Sequence, residues 1–342
     1  VKPDYGAAAL TTADPALDVH VFDQHSFDTK SFADMADGDA IDGVNDAGSA
    51  RVGMTEAFDA DGAPLEPVPF EAEYPYDYYD RAVYTNKVFT DARIKVGANS
   101  VFENCLFQGV TYIEIEPAND DENFNYVGMV ESDGTPKHPD YEAEVNGTPV
   151  TDTKPFGNNV RFHGCRFEGP VVSGAPDGSQ PARFTHVRNK VTFTGDTDFD
   201  FEAEPDEDLQ TLYKRSSLLL PHVSVEMGSF ADGNASDQNL ELTGAVVAGL
   251  IDMRGKITIN GTLITTYEPI SGEAPVLGDT APQFNTTLGY FSQGQGDLEA
   301  KVPDTGLGKI RISYDPTIAL PDGIDGPIEL APLTQTYHEG GK

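Results

Sequence analysis

Two segments of this chain share one frame. VFENCLFQG runs from Val101 to Gly109 and RFHGCRFEG from Arg161 to Gly169. Phe102 therefore matches Phe162, Cys105 matches Cys165, Phe107 matches Phe167 and Gly109 matches Gly169, while upstream Asn99 matches Asn159. The chain has 2 cysteines in 342 residues, and they occupy the same place in the two copies, 60 positions apart. A frame repeated in this way constrains the fold, because stacked repeats set like residues on like from one unit to the next.

The surrounding pattern is that of short strands. From about residue 88 onward, runs such as ARIKVGANSVFENCLFQGVTYIEI, NNVRFHGCRFEGPVV, ARFTHVRNKVTFTG, HVSVEMGSF, LELTGAVVAGLIDMRGKITINGTLITT and GKIRISYD are broken repeatedly by Gly or Asn. With 34 Gly and 24 Pro the turns are dense, and long helices are not expected. Regular short strands with such punctuation fit a sandwich, a barrel or a solenoid, and the repeated frame selects the solenoid.

On these residues the chain resembles the right-handed parallel β-helix superfamily, the pectate-lyase-like coils, over about residues 90 to 315. The resemblance implies an all-β fold, a right-handed parallel β-helix with an irregular acidic N-terminal segment. The expected organisation is an acidic, aromatic, loop-rich segment over 1–85, serving as a cap or a subunit-contact region. A β-helix body follows over 86–320, then a tail over 321–342. A spacing of 60 is longer than one coil, so the polar stretch 116–155 reads as an excursion from the body. Neighbouring strands lie about 4.8 Å apart, so Cys105 and Cys165 should stack inward on one wall in adjacent or next-adjacent coils. Side chains stacked in parallel point the same way, which suits unbonded thiols better than a disulfide, and the disulfide stays open as the alternative.

A second resemblance lies near the C-terminus, in ITINGTLITT and in GKIRISYDPTIALPDGI with Gly308, Lys309, Ile310, Tyr314, Asp315 and Pro316. These stretches are similar to the closing segments of β-helical proteins found beside bacterial type IV pilus assembly genes. Such relatives begin with a hydrophobic membrane helix. The chain here begins with Val1, which fits removal of a signal peptide or of such a helix. The longest apolar stretch of note, AVVAGLI from Ala245 to Ile251, is far short of the roughly 20 residues of a spanning helix.

In the N-terminal segment, the Phe27, Phe32 and Met35 spacing supports a short helix. Tyr74, Tyr76, Tyr78 and Tyr79 alternate partly like an edge strand, with an aromatic sugar-binding platform as the alternative reading. The leader around Tyr74 to Tyr84 has the composition to cover a solenoid end, its own or a neighbour's.

The charge narrows the partners. With 57 acidic and 22 basic side chains the formal net charge is −35, which repels nucleic acid, anionic membranes and acidic polysaccharides and favours salt, divalent cations or a cationic partner. Calcium is the one cofactor with a local argument. DMADGDAIDG supplies Asp34, Asp37, Asp39 and Asp42, and DADG supplies Asp59 and Asp61. The EF-hand pattern fails because Ile41 stands fifth from Asp37 and no Glu stands twelfth, so a solvated acidic turn is the favoured reading of these aspartates.

Catalytic constellations are weak. Polygalacturonase-like segments occur as Arg93-Ile94-Lys95, Asp120-Asp121 and Phe162-His163-Gly164, but out of order and incomplete. Paired carboxylates for glycoside hydrolysis carry no signal in a chain with 57 acids. The seven histidines, His20, His25, His138, His163, His186, His222 and His338, are scattered, and no nucleophile elbow or phosphate-cradling loop is present. Glycosylation sequons stand at Asn146, Asn234, Asn260 and Asn285 and weakly support secretion.

The expectation is an extracellular, non-catalytic structural or assembly protein, a β-helical surface or filament subunit of pilus-like kind, with copies of itself or other cell-surface proteins as partners. A glycan-binding adhesin, using the tyrosines or the 116–155 excursion, is the alternative. A polysaccharide lyase or hydrolase follows it, so the enzyme question stays open.

Overall fold

The computed structural model describes residues 27–46, 50–54, 79–115, 142–145, 148–151, 155, 157–174, 189–228, 239–253, 256–266, 286–288, 310–315 and 318. The chain starts with a short helix, α1 (Lys30–Met35), then β1 (Ala40–Ile41), a 3-10 turn (Gly43–Asn45) and β2 (Ala50–Met54). Next come β3 (Tyr79–Thr85), β4 (Val88–Ile94), β5 (Val101–Glu103) and β6 (Leu106–Ile113), followed by β7 (Glu142–Val145) and β8 (Thr148–Thr151). The middle holds β9 (Asn159–His163), β10 (Arg166–Phe167), β11 (Val171–Ser173), β12 (Lys190–Thr194) and β13 (Asp198–Phe199). After a second helix, α2 (Glu207–Arg215), come β14 (Leu218–Met227), β15 (Asn239–Met253), β16 (Lys256–Thr265), β17 (Thr286–Leu288) and β18 (Ile310–Ser313).

The fold is all-β, and its sheet is parallel apart from the β2–β3 pair. Sixteen strands join in one sheet, and β7 and β8 form a separate antiparallel pair inside the expected excursion. The pairings resolve into three ladders that the chain visits in the same order on each pass. The first stacks β3, β5, β9, β12, the end of β14, the end of β15 and β17. The second stacks the starts of β4 and β6, then β10, β13, the starts of β15 and β16, and β18. The third stacks β1, the ends of β4 and β6, β11, the start of β14, the middle of β15 and the end of β16.

Each pass bends between the first and second ladders at one stacked position. Asn86, Asn104, Gly164, Gly195 and Gly228 follow the first ladder in successive passes, and all have positive φ, from 52° at Asn104 to 95° at Gly228. Left-handed backbone is costly for most L-residues and tolerated by Gly and Asn. The Gly/Asn punctuation of the sequence is therefore the corner of the fold.

Inside the corner the side chains stack. Tyr84, Phe102, Phe162 and Phe193 form one column, with ring centroids 5.1, 5.2 and 5.4 Å apart. Phe89, Phe107, Phe167 and Phe199 form a second at 5.1, 5.0 and 4.8 Å. These separations follow the strand spacing of about 4.8 Å. The columns meet edge to face, Phe102 to Phe107 at 5.2 Å and Phe162 to Phe167 at 5.0 Å, the favourable aromatic geometry. Aliphatic residues take over in later passes, where Met227 and Met253 continue the first column.

The N-terminal segment packs on its own chain. Phe27 and Phe32 are buried in the same core, and Met35 packs against it, as their spacing implies. The Arg93 guanidinium, itself paired with Glu114 at 3.2 Å, donates to the carbonyls of Ala36 and Ala33 at the end of α1. β3 enters the first ladder as a strand, so the sheet takes up the last residues of the expected leader, and β2 runs antiparallel along its outer edge.

Candidate functional site

The repeated frame lands in register. Phe102 opposes Phe162, Phe107 opposes Phe167, and Cys105 and Cys165 sit between these pairs in neighbouring passes. Both thiols are buried and unbonded to each other. The Cys105 thiol donates to the Tyr84 carbonyl at 3.3 Å and the Cys165 thiol to the Phe102 carbonyl at 3.4 Å. The neighbouring Cys165 side chain holds the Cys105 thiol below its usual range, whereas burial pushes the Cys165 thiol well above it. Matching Asn99 and Asn159 also meet: the Asn159 N–H donates to Asn99 Oδ1 at 2.8 Å, and Asn158 and Asn189 extend the network.

The second feature is the outer face of the first ladder. In β9, Val160 and Phe162 point into the core, so Arg161 and His163 point outward. The register continues this face through Thr192, Glu226 and Asp252 beside Arg161, and through Glu103 and Thr194 beside His163. Outward residues on a sheet are ordinarily exposed, yet Arg161 is 1% exposed and Thr192 and Thr194 are 3% exposed. Arg161 Nε and Nη2 donate to Thr194 Oγ1 at 3.1 and 3.0 Å, and His163 Nδ1 lies 3.0 Å from the same oxygen. Lys190 Nζ reaches Glu226 Oε1 at 2.8 Å, and Thr192 Oγ1 donates to Glu226 Oε2 at 3.4 Å. Arg81 is also buried: it lies 4.4 Å over the Tyr79 ring and donates to the Asn99 carbonyl at 3.0 Å and Asn159 Oδ1 at 2.8 Å.

This face stacks buried Arg161, Thr192 and Thr194 with half-buried His163, Lys190, Glu226 and Glu103 at strand spacing. The half-buried groups His163, Lys190, Glu226 and Glu103 are the ones on this face that a polar ligand could reach. The sequence reading passed over Arg81, Arg161, Lys190 and Glu226. The available signal was the alternation in NVRFH and KVTFT, which puts polar residues opposite Val and Phe.

The calcium candidates divide. Asp37, Asp39 and Asp42 are exposed. Asp39 accepts from the Thr90 N–H at 2.8 Å, and Asp42 precedes the 3-10 turn, where its N–H donates to Asp46 Oδ2 at 3.1 Å. Asp59 and Asp61 lie outside the described residues. Among the described residues no group of three or more His, Cys, Asp or Glu is placed to hold a metal ion. Asn260 lies on β16, where its amide donates to Glu241 at 3.2 Å, whereas Asn146, Asn234 and Asn285 fall outside the described residues, as do Tyr74, Tyr76 and Tyr78. Of the histidines, His163 is half-buried and His222 buried, and the other five are outside the described residues. Among the described residues no helix is long and apolar enough to cross a membrane. Comparisons with protein-family models, with curated proteins and with solved structures found no match for this chain.

Proposed function

We propose that this chain is an extracellular structural or assembly protein, a right-handed parallel β-helix whose copies join head to tail in a surface or filament assembly. One observation carries the reading: among the described residues the sheet path runs from β2 at one end to β18 at the other, with β1 and β17 as further edge strands, and the two ends differ in sequence. A contact between unlike edges is heterologous and need not close, which is the geometry of a filament. Edge strands present unpaired backbone groups that template pairing with another chain. At the C-terminal end Ile312 is 42% and Tyr314 63% exposed, an apolar addition to that edge. Because α1 and β2 pack on their own chain, the joint forms between their outer surface and β18 rather than by exchange of the leader.

Self-repulsion at a net charge of −35 opposes this contact, so salt or calcium should strengthen it. Light scattering across a salt and calcium series is the test, with Ile312→Pro as the variant that removes the strand edge. The expected result is growth with salt in the parent and none in the variant at unchanged circular dichroism. Growth that survives the variant removes β18 as the joint.

The polar face around Arg161 favours a second reading, a glycan-binding adhesin. Its half-buried Lys190, Glu226 and Glu103 suit sugar hydroxyls. Binding of neutral oligosaccharides by a chain that stays monomeric in every salt would replace the first reading.

A further inference from the structure

We propose, resting on the assembly reading, that β18 of one copy is received by Val88 and Phe89 at the start of β4 in the next, steered by Arg311 on the donor and Asp37 on the acceptor. Among the described residues the large apolar side chains open to solvent are Val88, Ile312 and Tyr314, and all three stand at the two ends of the second ladder. At the first end, the N-terminal segment covers the other two ladders: β2 lies on β3, and β1 lies on the end of β4. No described strand lies on Val88 and Phe89 on the side away from β6. At the opposite end of the same ladder, β18 pairs with β16 alone. A copy added in parallel at this place continues the ladder, and an uncovered strand edge is a template for such pairing.

The interior sets the register. Ile310 and Ile312 continue the inward positions of Ile257 and Ile259, both 0% exposed, so Arg311 points outward. Phe89 and Ile312 are the two ends of one inward column, which runs through Phe107, Phe167, Phe199 and Ile259. Setting Ile312 on Phe89 of the next copy continues that column and puts Arg311 over Val88. Pairing stops there, because Thr90 is already occupied: its carbonyl accepts from the Asp39 N–H at 3.0 Å, and its N–H donates to Asp39 Oδ2 at 2.8 Å. The Gly38 N–H donates to the Asp91 carbonyl at 3.0 Å, which holds exposed Asp37 beside the same edge. Arg311 is exposed and has no ion-pair partner among the described residues. From Val88 to Thr90 is two residues, about 7 Å along the strand, a distance an arginine side chain spans. A chain that repels its copies at a net charge of −35 thus presents opposite charges where they meet, and such pairs fix register and partner.

Sedimentation velocity at a salt concentration where the parent associates is the test, with circular dichroism to show that each variant is folded. Asp37→Lys makes the chain less negative, so relief of self-repulsion alone strengthens association. The joint predicts the opposite sign, association about tenfold weaker, because the new ammonium faces Arg311. Arg311→Glu is expected to weaken association as much. The double variant, which keeps the parent's net charge, restores it. Mixing the two single variants in equal amounts restores it too, since each donor then meets a matched acceptor on the other variant. Asp37→Lys associating as strongly as the parent overturns the proposal and leaves the assembly reading standing, as does a double variant or a mixture no better than the single variants. A parent that stays monomeric in every salt overturns both.

Discussion

Phe107 lies between Phe89 and Phe167 at ring spacings of 5.1 and 5.0 Å and meets Phe102 and Phe162 edge-on, with none of its surface exposed. Its replacement by Ala leaves a cavity that neighbours locked in the same columns cannot collapse into. The expected cost is about 3 to 5 kcal/mol for Phe107→Ala and for Phe167→Ala, read as a shift in urea midpoint. Val88, on the outer side of the same ladder and 58% exposed, supplies the control: Val88→Ala should change stability by about 0.5 kcal/mol or less. Two tyrosines make a pH prediction. Burial, with Glu204, Asp91 and Asp206 nearby, pushes Tyr213 up to about 12, and burial with the Asp46 hydrogen bond raises Tyr84 further. A raised folded pKa means the proton is held more tightly in the native state. The stabilisation is fully present below the unfolded value of about 10 and is lost as pH rises through the folded value. Tyrosinate absorbance should therefore show a late fraction that appears together with unfolding. A single transition near 10 with the fold intact would contradict the burial of both rings.

The elements are held by their corners and caps. Gly195 has φ +69°, and a Cβ there would lie 2.8 Å from the Gly164 nitrogen and 3.0 Å from His163 Cε1. Gly195→Ala should cost roughly 1–2 kcal/mol for the left-handed backbone alone, with a further loss from displacing the His163 ring. Asp206 caps α2, accepting from the N–H groups of Asp208 at 2.9 Å and Leu209 at 3.2 Å, so Asp206→Ala should lower stability by about 1 kcal/mol. Thermal unfolding of the two variants measures both. The sequence made part of this legible. Cys105 and Cys165 drew attention to two copies of the frame, and the register of 102 with 162 and 107 with 167 follows from them directly. The next copy, KVTFTG over 190–195, was hidden because Asp196 stands where the cysteine would be, although Phe193 and Gly195 keep their places. Later passes replace the aromatics with Met227 and Met253, which stack as well but carry no pattern distinct from any other apolar strand. The polar face was illegible for a different reason. Alternation shows that Arg161 and His163 share a side, but their shared contact with Thr194 depends on the register between β9 and β12.

At the scale of the whole molecule the two ends differ. The first is covered by β2 and α1 of the same chain, while β18 is paired with β16 and shows Ile312 and Tyr314 to solvent. The leader's composition suggested a strand able to cover an end, and it was silent on whose end. Phe27 and Phe32 join the core of their own chain, and β3 enters the first ladder. Under the assembly reading, a net charge of −35 predicts copies held apart in low salt and association that grows with ionic strength. Electron microscopy of the purified chain, in calcium and in chelator, tests the assembly reading most directly. Rods joined end to end in calcium and dispersed in chelator are the expected result, with joining lost in Ile312→Pro. Single unjoined particles in every condition would contradict it.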